Sequence, residues 1–260
     1  MKFILIEALL RQRKLMLAFS HAGMVVVIAL SCRAPQELSE IRFKDYPVGK
    51  SAGVDSVYIQ MLAPYSDSLS KSMNEVLCSN ERELFKDQPN SDLGNFMADA
   101  YLWAAREILK QPADMAFMNH GGVRINRLGK GVITRTNAYE MMPFDNQLVN
   151  VEVRGTVLRQ FVDRLAAEGG GGGVAGISYR IVDKKAVDIR VGGQPLDDNR
   201  VYHMVNSDYV VEGGGGFKGF QSLPQLREGY LLRDAIIDYC RMHNNKGMSV
   251  QVGTEKRISQ

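Results

Sequence analysis

Apolar positions recur at helical spacing over residues 65–78, with Leu69, Met73, Val76 and Leu77 in phase, and predict one long amphipathic helix. A loop over 85–90 follows. A second helix starts with Asn90 or Ser91 as N-cap and places Leu93, Phe96, Met97, Ala100, Ala104 and Ile108 on one face. Trp103 falls within it and is assigned to core packing. Residues 115–118, Met-Ala-Phe-Met, read as the end of a buried strand. A turn and short strand at 129–133 and a short helix at 137–142 come next. Residues 148–153 alternate, with Val149, Val151 and Val153 on one face and polar residues on the other, which predicts a strand. Gly155-Thr156 opens another amphipathic helix, with Val157, Leu158, Phe161, Val162 and Leu165 inward.

The remainder is strand-rich at 176–182, 186–191 and 201–205, with turns at 183–185 and 192–193, and closes with a helix over about 232–243. Sheet pairs and helices without regular βαβ alternation predict an α+β fold. Two glycine runs interrupt the pattern, at 169–173 and 213–216. The first lacks the Lys and Ser/Thr of a phosphate-cradling loop and is read as a flexible link.

The N-terminus changes the charge picture. A basic leader, an apolar stretch at 23–30 and then Ser31-Cys32 form a signal segment of lipoprotein type over 1–32, with Cys32 as the lipidated residue. Residues 33–56 are polar and aperiodic and read as a tether, leaving 57–260 as the folded domain. This predicts export to a bacterial cell envelope, held on the membrane by a lipid anchor. The chain has 260 residues and a net charge of +3. Residues 1–31 hold Lys2, Arg11, Arg13 and Lys14 against Glu7, which is the whole of that excess. The basic pI of 8.7 therefore belongs to the leader and does not argue for a nucleic-acid polymer as partner. Cys78 and Cys240 are left either as a disulfide or as two buried thiols.

The candidate chemistry centres on Asn119-His120-Gly121-Gly122-Val123-Arg124 at the end of the 115–118 strand. Glycines accept φ > 0 and let backbone N–H groups approach an anion. Arg124 supplies a permanently charged fork for phosphate or ribose oxygens. A tight surface turn with a solvated Arg is the other reading.

Four ordered motifs together resemble the C-terminal domain of the 5'-nucleotidase family. Residues 91–100, Ser-Asp-Leu-Gly-Asn-Phe-Met-Ala-Asp-Ala, resemble its opening helix. Residues 119–124 resemble its Asn-Gly-Gly-Gly-Ile-Arg, and Met142-Pro143-Phe144-Asp145-Asn146 its Leu-Pro-Phe-Gly-Asn. Residues 208–217 resemble its Asn-Phe-Leu-Ala-x-Gly-Gly-Asp-Gly-Phe. The resemblance covers roughly 57–258 and implies an α/β/β/α sandwich that holds the nucleoside part of a nucleotide.

By that resemblance Phe144 and Tyr209 would be the two walls around a base, each face worth about 1–3 kcal/mol. Asn119 would bond the base and Arg124 reach ribose or phosphate. Gly121, Gly122, Asn146 and Asp208 complete the implied substrate-binding set. Tyr209 stands where the family usually has Phe, and three further departures bear on the implied contacts. Its ribose-accepting Asp is Gly215 here, with Asp208 as a candidate replacement. His120 stands where the family has Gly, as a tolerated side chain, a metal contact or a phosphate donor. A family Arg ahead of Asp92 falls near Lys86 and Asp87.

The resemblance also implies a division of labour, in which a metallophosphoesterase domain with two metals hydrolyses the substrate. Beyond the leader the histidines are His120, His203 and His243, none in a metal-ligand motif, with His243 read as solvated. No catalytic or metal-binding residue and no cofactor is assigned to this chain. The expectation is a nucleotide-recognising half that works with a separate metallophosphoesterase chain carrying divalent metals. A lipid-anchored binding module without hydrolysis, or a degenerate relative, is the alternative.

Overall fold

A computed structural model of the chain describes residues 55–260. The signal segment, Cys32 and the tether up to residue 54 lie outside the described residues. In chain order the structure runs α1 (Ser56–Met73), β1 (Val76–Asn80), β2 (Leu84–Phe85), α2 (Asp92–Trp103) and β3 (Met115–Met118). Then come β4 (Arg127–Leu128), β5 (Gly131–Thr134), α3 (Arg135–Met141), β6 (Gln147–Arg154), α4 (Gly155–Ala167) and β7 (Gly173–Ala175). They are followed by β8 (Ile177–Val182), β9 (Lys185–Val191), β10 (Gln194–Pro195), β11 (Val201–Ser207) and α5 (Asp208–Val211). The last elements are β12 (Gln225–Leu231), α6 (Leu232–Asn245) and β13 (Ile258–Ser259). Among the described residues no helix is long and apolar enough to cross a membrane.

The α+β sandwich is built on a five-stranded sheet of order β12-β6-β11-β3-β7, in which β11 runs parallel to β3 and antiparallel to β6. Successive side chains of a strand point to opposite faces, so β3 is apolar throughout because both its faces are covered. Ala116 and Met118 enter one core, with α2, α6, β1 and β5. Met115 and Phe117 enter the other, with α4 and the second sheet, β10-β9-β8-β13. In β6, Val149, Val151 and Val153 face that second core as the alternation predicts. The opposite face is only partly polar, since Leu148 and Asn150 are buried there and Asn150 Nδ2 donates to the Pro112 carbonyl at 2.7 Å.

Ser91 is the N-cap of α2, its Oγ accepting from Gly94 N–H at 2.9 Å. The helix buries Leu93, Phe96, Met97, Ala100 and Tyr101 fully. A large apolar side chain so placed contributes about 1.5–3 kcal/mol. Trp103 packs half-buried beside Tyr239, ring centres 5.6 Å apart.

Three expectations are corrected. The helix predicted over 65–78 stops at Met73, and no residue of α1 is buried. Val76, Leu77 and Cys78 are instead in β1, where Cys78 pairs with Ile133 of β5. Glu75, in the connection, is clamped by Arg135 and Arg241, so the chain turns there and the apolar run continues as a strand. The first glycine run is no flexible link. Gly171 N–H donates to the Pro89 carbonyl at 2.7 Å, and a Cβ on Gly173 would stand 1.8 Å from the Gly94 carbonyl oxygen. The run lets β7 lie directly against the start of α2. His243 is not solvated, because its ring packs 4.7 Å from Tyr239 and both ring nitrogens are buried. Burial first, and Lys246 second, hold its pKa below the ordinary histidine value. Cys78 and Cys240 are buried free thiols.

Candidate functional site

Four chain segments that the sandwich brings to one end of the central sheet line a cleft of about 610 Å³. The loop after β3 contributes Asn119, Gly121, Gly122 and Arg124, and the loop after α3 contributes Met142, Phe144, Asp145 and Asn146. Ser207 at the end of β11, Tyr209 in α5 and Leu232 at the start of α6 complete the lining. Seven of the eight residues carried over by resemblance line this cleft. Asp208 does not. It stands beside it, where Oδ1 accepts from Asn146 Nδ2 and from Tyr209 N–H, both at 2.7 Å.

Residues 120–122 form a 3-10 turn directly off buried β3. The sequence-based expectation of positive φ there is not met, since neither Gly121 nor Gly122 adopts it. Gly122 N–H is engaged inside the turn by the Asn119 carbonyl at 3.0 Å, so no row of free N–H groups is presented by it. His120 reaches away from the cleft, its Nδ1 2.6 Å from the Gly171 carbonyl oxygen, and so links the motif to the first glycine run.

Arg124 is exposed, with its guanidinium 5.5 Å from the Phe144 ring centre and Nη1 donating to the Gly121 carbonyl at 3.1 Å. Among the described residues it has no carboxylate partner. Lys86 lies close by, its Nζ donating to the Val123 carbonyl at 2.9 Å. Burial and then the charge of Arg124 press the Lys86 pKa below the ordinary lysine value. The loop before α2 thus does bring a cation next to the motif, as Lys rather than the family's Arg.

The two aromatic rings are conspicuously uncovered, Phe144 at 44% and Tyr209 at 51% exposure. Large aromatics left in water at the mouth of a cleft are the surface a planar apolar ligand covers. Each ring stands on a chain segment held by an arginine that the sequence reading missed. Arg233, buried in the first turn of α6, donates to the Met142 and Phe144 carbonyls, each at 3.2 Å, and to Asp145 Oδ1 at 2.7 Å. Arg164 in α4 donates to the carbonyls of Gly215 and Gly216 in the second glycine run. That run must be glycine where it passes under Tyr209, since a Cβ on Gly214 would lie 2.6 Å from the ring. Gly215 itself is exposed and lies outside the cleft lining.

Among the described residues no three His, Cys, Asp or Glu side chains gather into a set able to hold a metal ion. Two-metal hydrolytic centres place their ions roughly 3.5–4 Å apart, which takes several such ligands, and the described residues do not fit one.

A cleft lined by two exposed aromatic rings, two amide side chains and an arginine without a carboxylate partner among the described residues suits a planar, anion-bearing ligand. The model of the 5'-nucleotidase C-terminal domain matches residues 73–222, more than half of the chain, and the chain belongs to that family. A 5'-nucleotidase of Vibrio parahaemolyticus serotype O3:K6 is 24% identical over 200 residues, covering 73% of this chain and 34% of its own. A probable 5'-nucleotidase of Treponema pallidum is 28% identical over 172 residues, covering 58% of this chain and 29% of its own. The chain therefore spans about a third of the length of these relatives. The fold is shared with a 5'-nucleotidase precursor from Thermus thermophilus, at TM-score 0.65 and 24% identity over 77% of this chain and 42% of that one. It is shared too with the Haemophilus influenzae NAD nucleotidase, at TM-score 0.61 and 19% identity over 79% and 42% of the two chains.

Proposed function

We propose that this chain is the nucleoside- or nucleotide-recognising half of a 5'-nucleotidase. In this reading it takes part in nucleotide dephosphorylation with a separately encoded metallophosphoesterase that carries the divalent metals. Asn119, Gly121, Gly122, Arg124, Phe144, Asn146, Asp208 and Tyr209 are the binding set, with the base between the two rings and the phosphate toward Arg124. Asp208 acts through Asn146, whose amide it orients. Export and lipidation at Cys32 belong to the same proposal, because a nucleotide outside the cell must lose its phosphate before the nucleoside is taken up. The observation that carries the reading is the cleft itself, in which exposed Phe144 and Tyr209 and an Arg124 without a carboxylate partner among the described residues line one cavity.

A second reading, an anchored nucleotide-binding module without hydrolysis, rests on the same cleft. The two are separated by measuring phosphate release from 5'-AMP with Mn²⁺ or Zn²⁺, first with the folded chain alone and then with candidate metallophosphoesterases. Release that requires both proteins and is lost in Arg124→Ala supports the half-enzyme. Nucleotide binding with no release beside any partner supports the module. Turnover by the chain alone would overturn the division of labour.

A further inference from the structure

Asp145 is the one acidic residue in the lining of the cleft, and it follows Phe144 directly in the chain. Its side chain is 80% exposed, whereas its partner Arg233 is 8% exposed. Arg233 reaches Asp145 from inside the protein and engages Oδ1 at 2.7 Å. Oδ2 has no hydrogen-bond partner among the described residues. The guanidinium is itself fixed by the Met142 and Phe144 carbonyls and lies 4.2 Å from the Tyr139 ring centre. A carboxylate held through one oxygen on a rigid buried fork presents the other in a set direction. That is an acceptor ordered before the ligand arrives, which lowers the ordering cost of binding.

The cleft therefore carries one cation, Arg124, and one anion, Asp145, beside the same aromatic ring. A carboxylate repels phosphate and accepts only from donors. The donors of a nucleoside are its sugar hydroxyls and, depending on the base, an exocyclic amine or a ring N–H. The rings of Phe144 and Tyr209 read the face of a base and tolerate any base, so a sugar hydroxyl is the donor common to every ligand they accept. The other carboxylate nearby, Asp208, is turned to Asn146 and Tyr209 N–H and does not line the cleft.

Resting on the nucleoside reading above, we propose that Asp145 is a specificity residue that accepts from the 2'- and 3'-hydroxyls of ribose and makes the site select nucleosides that carry them over those that lack both. Arg233 is its positioning residue.

The test is calorimetric binding of adenosine, 2',3'-dideoxyadenosine and inosine to the full chain and to Asp145→Asn. A charge-assisted hydrogen bond corresponds to about a tenfold preference or more. Wild-type protein is therefore expected to bind adenosine about tenfold tighter than the dideoxy compound, and Asp145→Asn to bring the two within about twofold while leaving dideoxyadenosine unchanged. An Asp145 that merely neutralised Arg233 would shift all three ligands together and leave their ratios alone, which overturns the assignment. Collapse of the adenosine-to-inosine ratio instead would move the contact to the base amine and overturn it too. Equal wild-type affinity for adenosine and its dideoxy analogue sinks the assignment without touching the nucleoside reading. No binding of any of the three sinks both.

Discussion

Phe144 and Tyr209 face one cleft from segments held in different ways. The Phe144 loop is tied from within, by a guanidinium 8% exposed that makes three hydrogen bonds to Met142, Phe144 and Asp145. The Tyr209 segment is a four-residue helix followed by glycines, tied from outside by Arg164, which is 39% exposed and also pairs with Glu168 at 3.0 Å. A bond made in a desolvated interior keeps most of its strength, while one at the surface competes with water and salt. The difference makes the first wall fixed and the second one compliant. Under the proposed function, such a pair would take bases of unequal size against a constant reference face.

The largest expected effect is on the fixed wall. Arg233→Ala leaves the Met142 and Phe144 carbonyls without their donor and opens space under the loop, and should cost about 2–4 kcal/mol in urea unfolding. Arg233→Lys, which keeps the charge but loses the fork, should fall between it and wild type. Full stability in Arg233→Ala would show that the loop stands unaided.

Next come the rings. Phe144→Ala and Tyr209→Ala should each weaken nucleoside binding by about 1–3 kcal/mol in calorimetry, with unfolding free energy unchanged within about 0.5 kcal/mol because both are exposed. A fixed wall predicts that replacing adenosine by a smaller pyrimidine nucleoside hurts Tyr209→Ala less than Phe144→Ala. Equal losses in both variants with both ligands would erase the contrast.

Smallest is Arg164→Ala. Its surface bonds to Gly215 and Gly216 should be worth no more than about 1 kcal/mol of stability. Amide exchange over residues 213–217 should nonetheless quicken, while exchange over 142–146 stays as it was. Faster exchange in both segments would mean that the walls are coupled.

The elements that were legible in the sequence carry a cap or a regular apolar spacing of their own. Ser91 and the apolar spacing after it mark α2, and Val149, Val151 and Val153 mark β6. Of the elements that were not legible, two escaped for opposite reasons. In β1 the apolar residues continue the helical spacing of α1, and only pairing with β5 decides the matter. Edge strand β12 is mostly exposed, so it shows no alternation to find. The glycine run at 169–173 has the composition of a linker, yet it is fixed by a backbone contact with Gly94, almost eighty positions earlier.

The same division holds at the site. Asn119, Gly121, Gly122, Arg124, Phe144, Asn146 and Tyr209 were identifiable because ordered motifs carry residue types, and residue types are what a sequence states. By itself the sequence determined the fold class, the family and seven of the residues that meet in the cleft. That Arg233 stands behind Phe144, that Arg164 grips the loop under Tyr209, and that Asp145 rather than Asp208 lines the cleft were decided only by the tertiary structure. Each is a contact across roughly fifty to ninety residues of chain, set by how helices and sheet stack, and no local pattern records where a long side chain will end.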